Sequence, residues 1–192
     1  MWPCRCIGKW THRYVLGPWA GLGWLTCLLA VCLSGSAPAA QAADEEAVIS
    51  RYKTAFLYHF TSYVTWPEAA QDSVFVVGVL GDSPVLPLLE SLAEKKEVGN
   101  KLLVVRQLST VDEARDCHML FVTKAFEGPA ARIDSVAAAN SVLTVTDLAN
   151  VDHCTIRFVM VDGKLKFAVD KDALRRADLR ASANLLKLAI AE

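Results

Sequence analysis

The sequence lacks the short motifs by which many catalytic and cofactor sites are found. It contains no Gly-x-Ser-x-Gly, no Cys-x-x-Cys, no His-x-x-x-His and no Gly-x-Gly-x-x-Gly pattern. Gly78 and Gly81 follow an apolar run, but no lysine follows the second glycine, so the stretch does not match a phosphate-binding loop. These absences argue against a serine hydrolase, a short-spaced metal site and a dinucleotide-binding domain, and they predict no cofactor and no enzymatic activity.

The sequence also lacks an excess of either charge. The 192 residues include 21 acidic and 20 basic side chains, a net charge of −1. All 21 acidic residues but only 17 of the basic ones follow residue 42, so that part carries −4. Without a basic stripe, nucleic acid is a poor candidate partner.

The first 42 residues have the pattern of a signal peptide. Arg5, Lys9 and Arg13 form a basic start, residues 19–33 carry no charge, and Ala40–Ala42 forms an Ala-x-Ala cleavage site. The apolar run of about fifteen residues is shorter than the roughly 20 that span a bilayer. We therefore predict a signal peptide over 1–42, cleavage after about Ala42, and a single exported domain over 43–192. A retained anchor is the alternative.

Cysteine becomes scarce after this segment. The chain has six cysteines, of which only Cys117 and Cys154 follow residue 42, while Cys32 is a weak candidate for lipidation. Export to an oxidising compartment permits a Cys117–Cys154 disulfide, which we predict; two buried thiols are the alternative. A zinc site with the adjacent His118 and His153 is a further alternative that the ligand spacing does not support.

The order of periodic segments predicts the fold class. Apolar, β-branched runs alternate with segments of helical spacing, and Asp162-Gly163 joins two alternating runs as a hairpin turn. Asp170 and Ser182 are predicted helix caps. Strands are predicted at 74–80, 102–108, 119–122, 142–145, 155–161 and 164–169, and helices at 46–65, 84–97, 130–139 and 171–177, with a short capped helix after Thr110 and a last helix after Ser182.

This pattern predicts one three-layer α/β domain. A mainly parallel central sheet is flanked by helices, and the C-terminal hairpin forms an antiparallel edge. Gly99 is predicted to end the second helix.

The first helix is predicted to be amphipathic. Its apolar stripe comprises Ile49, Tyr52, Phe56, Phe60 and Tyr63. Its polar face comprises Ser50, Thr54, Tyr58, Thr61 and Thr65. His59, at the flank of the stripe, is predicted to be a satisfied core residue.

Two surface sites are candidates on sequence alone. Gly81, Ser83 and Asp147 follow strands, and ligands of open α/β sheets bind at the carboxyl ends of strands. The alternatives are an ordinary turn at Gly81 and Ser83, and a role for Asp147 as the cap of the turn that follows it. Arg175, Arg176 and Arg180 give the C-terminal segment a positive character that suits an acidic partner, or else form a solvated face.

Several segments together resemble the YfiR-like family of periplasmic proteins. The matching segments are 53–60, 64–67, 79–82, 117–122, 142–147, 163–170 and 179–189, and they span about residues 51–189. Asp152-His153-Cys154 departs from the resemblance, because family members often carry a Gly-Gly pair there. The family offers no established catalytic residue to carry over.

The resemblance implies a regulatory role. YfiR-like proteins repress an inner-membrane diguanylate cyclase by binding its periplasmic sensor domain, which lowers cyclic di-GMP. It also implies homodimers, sequestration by an outer-membrane lipoprotein and, in some relatives, linkage to a sensor histidine kinase. We predict a partner surface at Phe167, Leu174, Arg176 and Leu179. A periplasmic small-ligand sensor acting with a histidine kinase is the alternative function.

Overall fold

The computed structural model of the protein describes residues 37–67, 73–148 and 154–190. The chain divides into two units, Met1–Ala43 and Asp44–Glu192. The predicted signal peptide lies mostly outside the described residues, so its cleavage remains a prediction. Within the described ranges, no helix is both long enough and apolar enough to cross a membrane.

A seven-stranded sheet forms the centre of the second unit. Its spatial order is β3-β4-β2-β5-β6-β7-β8, with five parallel strands inside and one antiparallel strand at each edge. A separate antiparallel pair joins β1 to β9. The strands are β1 (Val64–Thr65), β2 (Val74–Leu80), β3 (Glu97–Val98), β4 (Lys101–Leu108), β5 (Met119–Val122), β6 (Leu143–Thr146), β7 (Ile156–Val161), β8 (Lys164–Val169) and β9 (Arg180–Ala181).

Helices cover both faces of this sheet, which confirms the predicted α/β class. They are α1 (Ala37–Tyr63), α2 (Val85–Ala93), a 3₁₀ helix (Val111–Asp116), α3 (Ala130–Asn140), α4 (Lys171–Arg176) and α5 (Ala183–Leu188). Helices α1, α2, α4 and α5 contribute to one buried cluster, and α3 and the 3₁₀ helix contribute to another. We call these clusters the aromatic core and the aliphatic core.

The aromatic core is built around rings from α1 and the C-terminal hairpin. Phe60 lies 1% exposed, with its ring centroid 6.0 Å from that of Phe158 and 5.1 Å from that of Phe167. Phe158 and Phe167 face each other in the β7–β8 register. The single stripe of α1 therefore closes over the hairpin that follows it by about a hundred residues.

The aliphatic core contains smaller side chains. Its buried members are Val76, Leu80, Leu108, Val111, Ala114, Cys117, Leu120, Val122, Ile133, Val136, Ala137, Val142 and Cys154. Consecutive residues of β2 and β5 point alternately into the two cores, as the period of a strand requires. This explains why both strands read as continuous apolar runs: each face of each strand is covered.

The buried face of α1 differs from the predicted stripe. Tyr52 is 59% exposed and His59 is exposed, whereas Ser50 and Thr54 are buried. The Thr54 hydroxyl donates to the Ser50 carbonyl at 2.9 Å, so the helix itself satisfies this hydroxyl. A threonine that bonds back to its own helix can be buried without an unmet polar group, and hydropathy alone misplaces it.

Local turn and cap signals are confirmed. Asp162 and Gly163 have φ of 51° and 71°, the left-handed pair that a two-residue hairpin turn requires. The Asp170 carboxylate accepts from the backbone N–H of Asp172 and Ala173, and the Ser182 hydroxyl accepts from that of Leu185.

The second helix is shorter than predicted. Helix α2 ends at Ala93, and Glu97–Val98 form the edge strand β3. Gly99 has φ of 62° in the turn between β3 and β4, so it turns a hairpin and does not end a helix.

Candidate functional site

Three strand ends meet at the carboxyl edge of the parallel sheet. Gly81 follows β2, Thr123 follows β5 and Asp147 follows β6. Val122 pairs with Thr146, so Thr123 and Asp147 lie beside each other at the next position of the register. Both continue the alternation of β5 and β6 toward the aromatic core, beneath α1. We call these residues, together with Lys53, the carboxyl-edge site.

The strand order reverses at this edge, between β2 and β5. The chain runs from β2 out to β4 on one side and then returns to β5 on the other, so the order reverses between β2 and β5. In doubly wound sheets, ligands bind outside the carboxyl ends of the strands at this reversal. Gly81 and Thr123 are the residues that leave the two strands at this point.

A nearly buried ion pair attaches α1 to this edge. The Lys53 Nζ lies 2.6 Å from the Asp147 Oδ2, and the two side chains are 15% and 10% exposed. A second pair, Lys124 Nζ to Glu46 Oε1 at 3.1 Å, is largely exposed. Low exposure strengthens the first interaction and makes an unpaired member costly, whereas the second contributes little.

Two buried polar atoms at the site have no hydrogen-bond partner among the described residues. They are the Asp147 Oδ1 and the Thr123 Oγ1. A Cβ atom added to Gly81 would lie 2.5 Å from the Thr123 Oγ1, so the glycine backbone packs directly on this hydroxyl. The Asp147 carboxylate can accept a hydrogen bond here, and the Thr123 hydroxyl can donate or accept one. Such a pair suits a bound water or a small polar ligand.

The predicted ligand residues are only partly brought together. Gly81 and Asp147 lie at this edge, on either side of β5. Ser83 instead accepts a hydrogen bond from the Val85 backbone N–H at 3.2 Å, at the start of α2. Lys53 and Thr123 were not predicted, because the ion pair joins residues 94 positions apart and no local pattern marks it.

A pocket of about 440 Å³ opens at the opposite, amino-terminal edge. Trp66 and Phe75 form part of its lining, with ring centroids 5.0 Å apart at 86°. The Trp66 Nε1 donates to the His118 carbonyl at 3.0 Å, and the imidazole of His118 stacks on Phe75 with centroids 4.8 Å apart. These contacts join Trp66, Phe75 and His118 in one wall of the pocket.

The zinc alternative finds no support in this geometry. The His118 Nδ1 accepts from the Val76 backbone N–H at 3.2 Å, which orients the imidazole within the sheet. His153 lies outside the described residues. Within the described ranges, no three His, Cys, Asp or Glu side chains lie close enough to hold a metal ion.

Both cysteines are free and buried, so the predicted disulfide is absent from the structure. Cys117 precedes β5 and Cys154 precedes β7, and β6 lies between these strands. Two strand spacings separate positions by roughly 9–10 Å, beyond the Cα separation of about 7 Å that a disulfide bridges. Desolvation by burial raises the pKa of each thiol to about 11, which makes both unreactive near neutral pH.

Three of the four predicted partner residues are buried. Phe167, Leu174 and Leu179 are 3%, 4% and 4% exposed and belong to the aromatic core. They cannot contact a partner while the domain is folded. Arg176 reaches the surface, where its guanidinium lies 3.1 Å from the Asp134 carboxylate. The short helix α4 and its flank pack their apolar residues into the aromatic core, so apolar type alone does not identify a surface anchor there.

Large apolar side chains are exposed elsewhere. Val48 and Tyr52 lie one turn apart on α1 and are 46% and 59% exposed, and Met160 at the end of β7 is 52% exposed. Since α1 runs from the carboxyl edge at Lys53 toward the amino edge at Trp66, its exposed apolar residues lie toward the same end of the sheet as Met160.

The fold and the site together define a class of protein domain. The unit is a doubly wound α/β domain of the 2-1-3-4-5 order, with a polar carboxyl edge, inert thiols and exposed apolar side chains.

Comparison with known families narrows this class. The model of the YfiR/HmsC-like family matches residues 50–190, which confirms the resemblance drawn from the sequence. The chain belongs to the YfiR/HmsC-like family. No curated protein matches it.

Proposed function

We propose that the protein is a periplasmic regulatory binding protein that represses an inner-membrane diguanylate cyclase. It binds the periplasmic sensor domain of the cyclase and so lowers the concentration of cyclic di-GMP. The observation that carries this proposal is the family match over residues 50–190, which covers nearly all of the second unit.

The surface supports action by binding. Val48, Tyr52 and Met160 expose apolar area that the domain does not use in its own cores. Aromatic and methionine side chains are enriched in interfaces. Repression then follows from linkage: a protein that binds the inactive conformation of the sensor better than the active one shifts the population toward the inactive one.

The proposal includes the remaining partners and the compartment. The precursor is exported and cleaved after about Ala42, the mature protein forms homodimers, and an outer-membrane lipoprotein sequesters it away from the cyclase. Light scattering of protein purified from the periplasm tests the dimer, and mass spectrometry of the same sample tests the cleavage site.

Deletion of the gene tests the function. We expect cyclic di-GMP to rise in the deletion strain and to return to its original level when the full chain is restored. The periplasmic domain of the affected cyclase should bind the exported protein in calorimetry. Unchanged cyclic di-GMP together with no measurable binding would refute the proposal.

A second candidate function is a periplasmic small-ligand sensor that acts with a sensor histidine kinase. The observation that favours it is the pair of unpartnered buried atoms at the carboxyl-edge site, where this class of sheet binds ligands. A thermal shift against nucleotides and amino acids tests it, since a ligand at 100 times its Kd stabilises the folded state by about 2.7 kcal/mol. A Thr123→Val variant should lose the shift; a shift that Thr123→Val retains, or no shift with any compound, rejects this site.

A further inference from the structure

Strand β8 forms one edge of the sheet, and its outward groups can be assigned from the register. Val161 pairs with Lys164 across the two-residue turn, so these residues exchange backbone hydrogen bonds. The alternation of an antiparallel ladder then turns the N–H and C=O groups of Leu165 and Phe167 away from β7. The bond from the Ile190 N–H to the Phe167 carbonyl, 2.9 Å long, agrees with this assignment.

The two edges of the sheet are protected differently. At the β3 edge, the Tyr58 hydroxyl donates to the Glu97 carbonyl at 3.0 Å. At the β8 edge, Ile190 forms a parallel bridge beside Ala168 and covers the far end. Among the described residues, no strand pairs with β8 from Lys164 to Leu165 on its outer side. The backbone at Ile190 therefore already pairs with one end of this edge.

The two faces beside the open edge differ in chemistry. Met160 is 52% exposed and pairs with Leu165 in the register, so the face on the side of the aromatic core is apolar at this point. Lys164 and Lys166 point to the other face by strand alternation, and Lys164 is exposed. An added strand would therefore meet apolar side chains on one face and ammonium groups on the other.

We propose that the open edge of β8 binds an extended segment of a partner protein by strand addition. The segment alternates apolar residues, which pack on Met160 and Leu165, with acidic residues, which pair with Lys164 and Lys166. A second copy of this chain fits less well, because antiparallel pairing of two β8 strands would bring their lysines together. This inference rests on the proposed function only in that the protein acts by binding another protein.

Amide hydrogen exchange tests the edge without any cyclase. The probe is the peptide acetyl-Asp-Val-Glu-Val-Asp-Val-Glu-amide, with a peptide that replaces every acid by lysine as its control. In the free protein, the Leu165 amide should exchange quickly and the Lys166 amide slowly. Saturating acidic peptide should slow Leu165 exchange about tenfold or more, and the basic peptide should not.

Charge reversal supplies the matched variants. Lys164→Glu with Lys166→Glu should weaken binding of the acidic peptide about tenfold and favour the basic one. Lys171→Glu, an exposed lysine on α4 away from this edge, should change neither affinity. Leu165 exchange that stays unchanged at about 1 mM acidic peptide overturns the proposal. Equal affinity for both peptides also overturns it and leaves the lysines only the role of discouraging edge-to-edge association.

The cyclase domain separates this inference from the proposed function. If that domain binds the original protein and the charge-reversed variant equally and the acidic peptide leaves Leu165 exchange unchanged, cyclase regulation stands and strand addition at β8 is rejected. If the acidic peptide protects Leu165 but no cyclase domain binds, strand addition stands and the proposed function fails.

Discussion

The two faces of the central sheet are packed by different side chains. The aromatic core contains Phe60, Phe75, Phe121, Phe158 and Phe167 among its buried members, whereas the buried members of the aliphatic core carry no aromatic ring. The first face is closed by the long helix α1, and the second by α3 and the 3₁₀ helix. Large rings suit α1 because it bridges the middle of the sheet and the distant hairpin.

The groups of the candidate site lie on one side of this division. Lys53, Thr123 and Asp147 all lie on the aromatic side, at the carboxyl edge beneath α1. The aliphatic side holds the two inert thiols. The difference teaches that one face combines the buried aromatic rings with the candidate ligand chemistry, while the other is packed by smaller side chains.

Removing the ring of Phe60 from the aromatic core should give the largest loss of stability. Phe60→Ala should lower the free energy of unfolding by about 3–5 kcal/mol, because a fully buried ring leaves a cavity among its neighbours. Urea unfolding measures it. Ile133→Val in the aliphatic core should cost about 0.5–1.5 kcal/mol, and Tyr52→Ala on the exposed side of α1 less than about 0.5 kcal/mol. Similar losses for Phe60→Ala and Tyr52→Ala would show that α1 does not pack as described.

Breaking the buried ion pair should have the next largest effect. Lys53→Met leaves the Asp147 carboxylate buried without its cation, so we expect a loss of about 2 kcal/mol in urea unfolding. Adding Asp147→Asn should recover part of that loss. Lys124→Met breaks the exposed pair with Glu46 and should cost less than about 0.5 kcal/mol. Equal losses for the two single variants would contradict the difference in burial.

The thiols of the aliphatic core predict an alkaline loss of stability. Burial raises the pKa of Cys117 and Cys154 from about 9.0 to about 11, so the folded state holds these protons more tightly than the unfolded state. The contribution is complete below about pH 9 and is lost as pH rises toward 11, by about 2 kcal/mol per thiol at the upper limit. Urea unfolding at pH 8 and pH 10.5 measures it. A variant with both cysteines changed to alanine should decline less; an identical decline would show that other groups cause it.

Helix caps should give the smallest effect and should be nearly equal on the two sides. Asp170→Ala removes the cap of α4 on the aromatic side, and Thr110→Ala removes half of the capping box of the 3₁₀ helix on the aliphatic side. Each should cost about 1 kcal/mol in thermal or urea unfolding. A much larger loss for Asp170→Ala would mean that this cap also holds the buried Leu174 in place.

The amino-acid type of an apolar residue does not show whether that residue is exposed or buried. Leu174 and Leu179 are buried while Tyr52 and Met160 are exposed, although all four occupy segments with apolar neighbours. Which side of a short helix or hairpin faces inward depends on the element packed over it. The predicted partner surface failed for this reason.

The sequence by itself determined the order of the six longer strands and of the helices, the β7–β8 hairpin and the caps at Asp170 and Ser182, because those signals act between residues a few positions apart. The bounds of β2 and β5 agree with the predicted runs at 74–80 and 119–122. Only the tertiary structure decided the β1–β9 pair, the free cysteines and the meeting of Lys53 with Asp147. Each depends on where distant segments cross the sheet, and burial then sets what each side chain can bind.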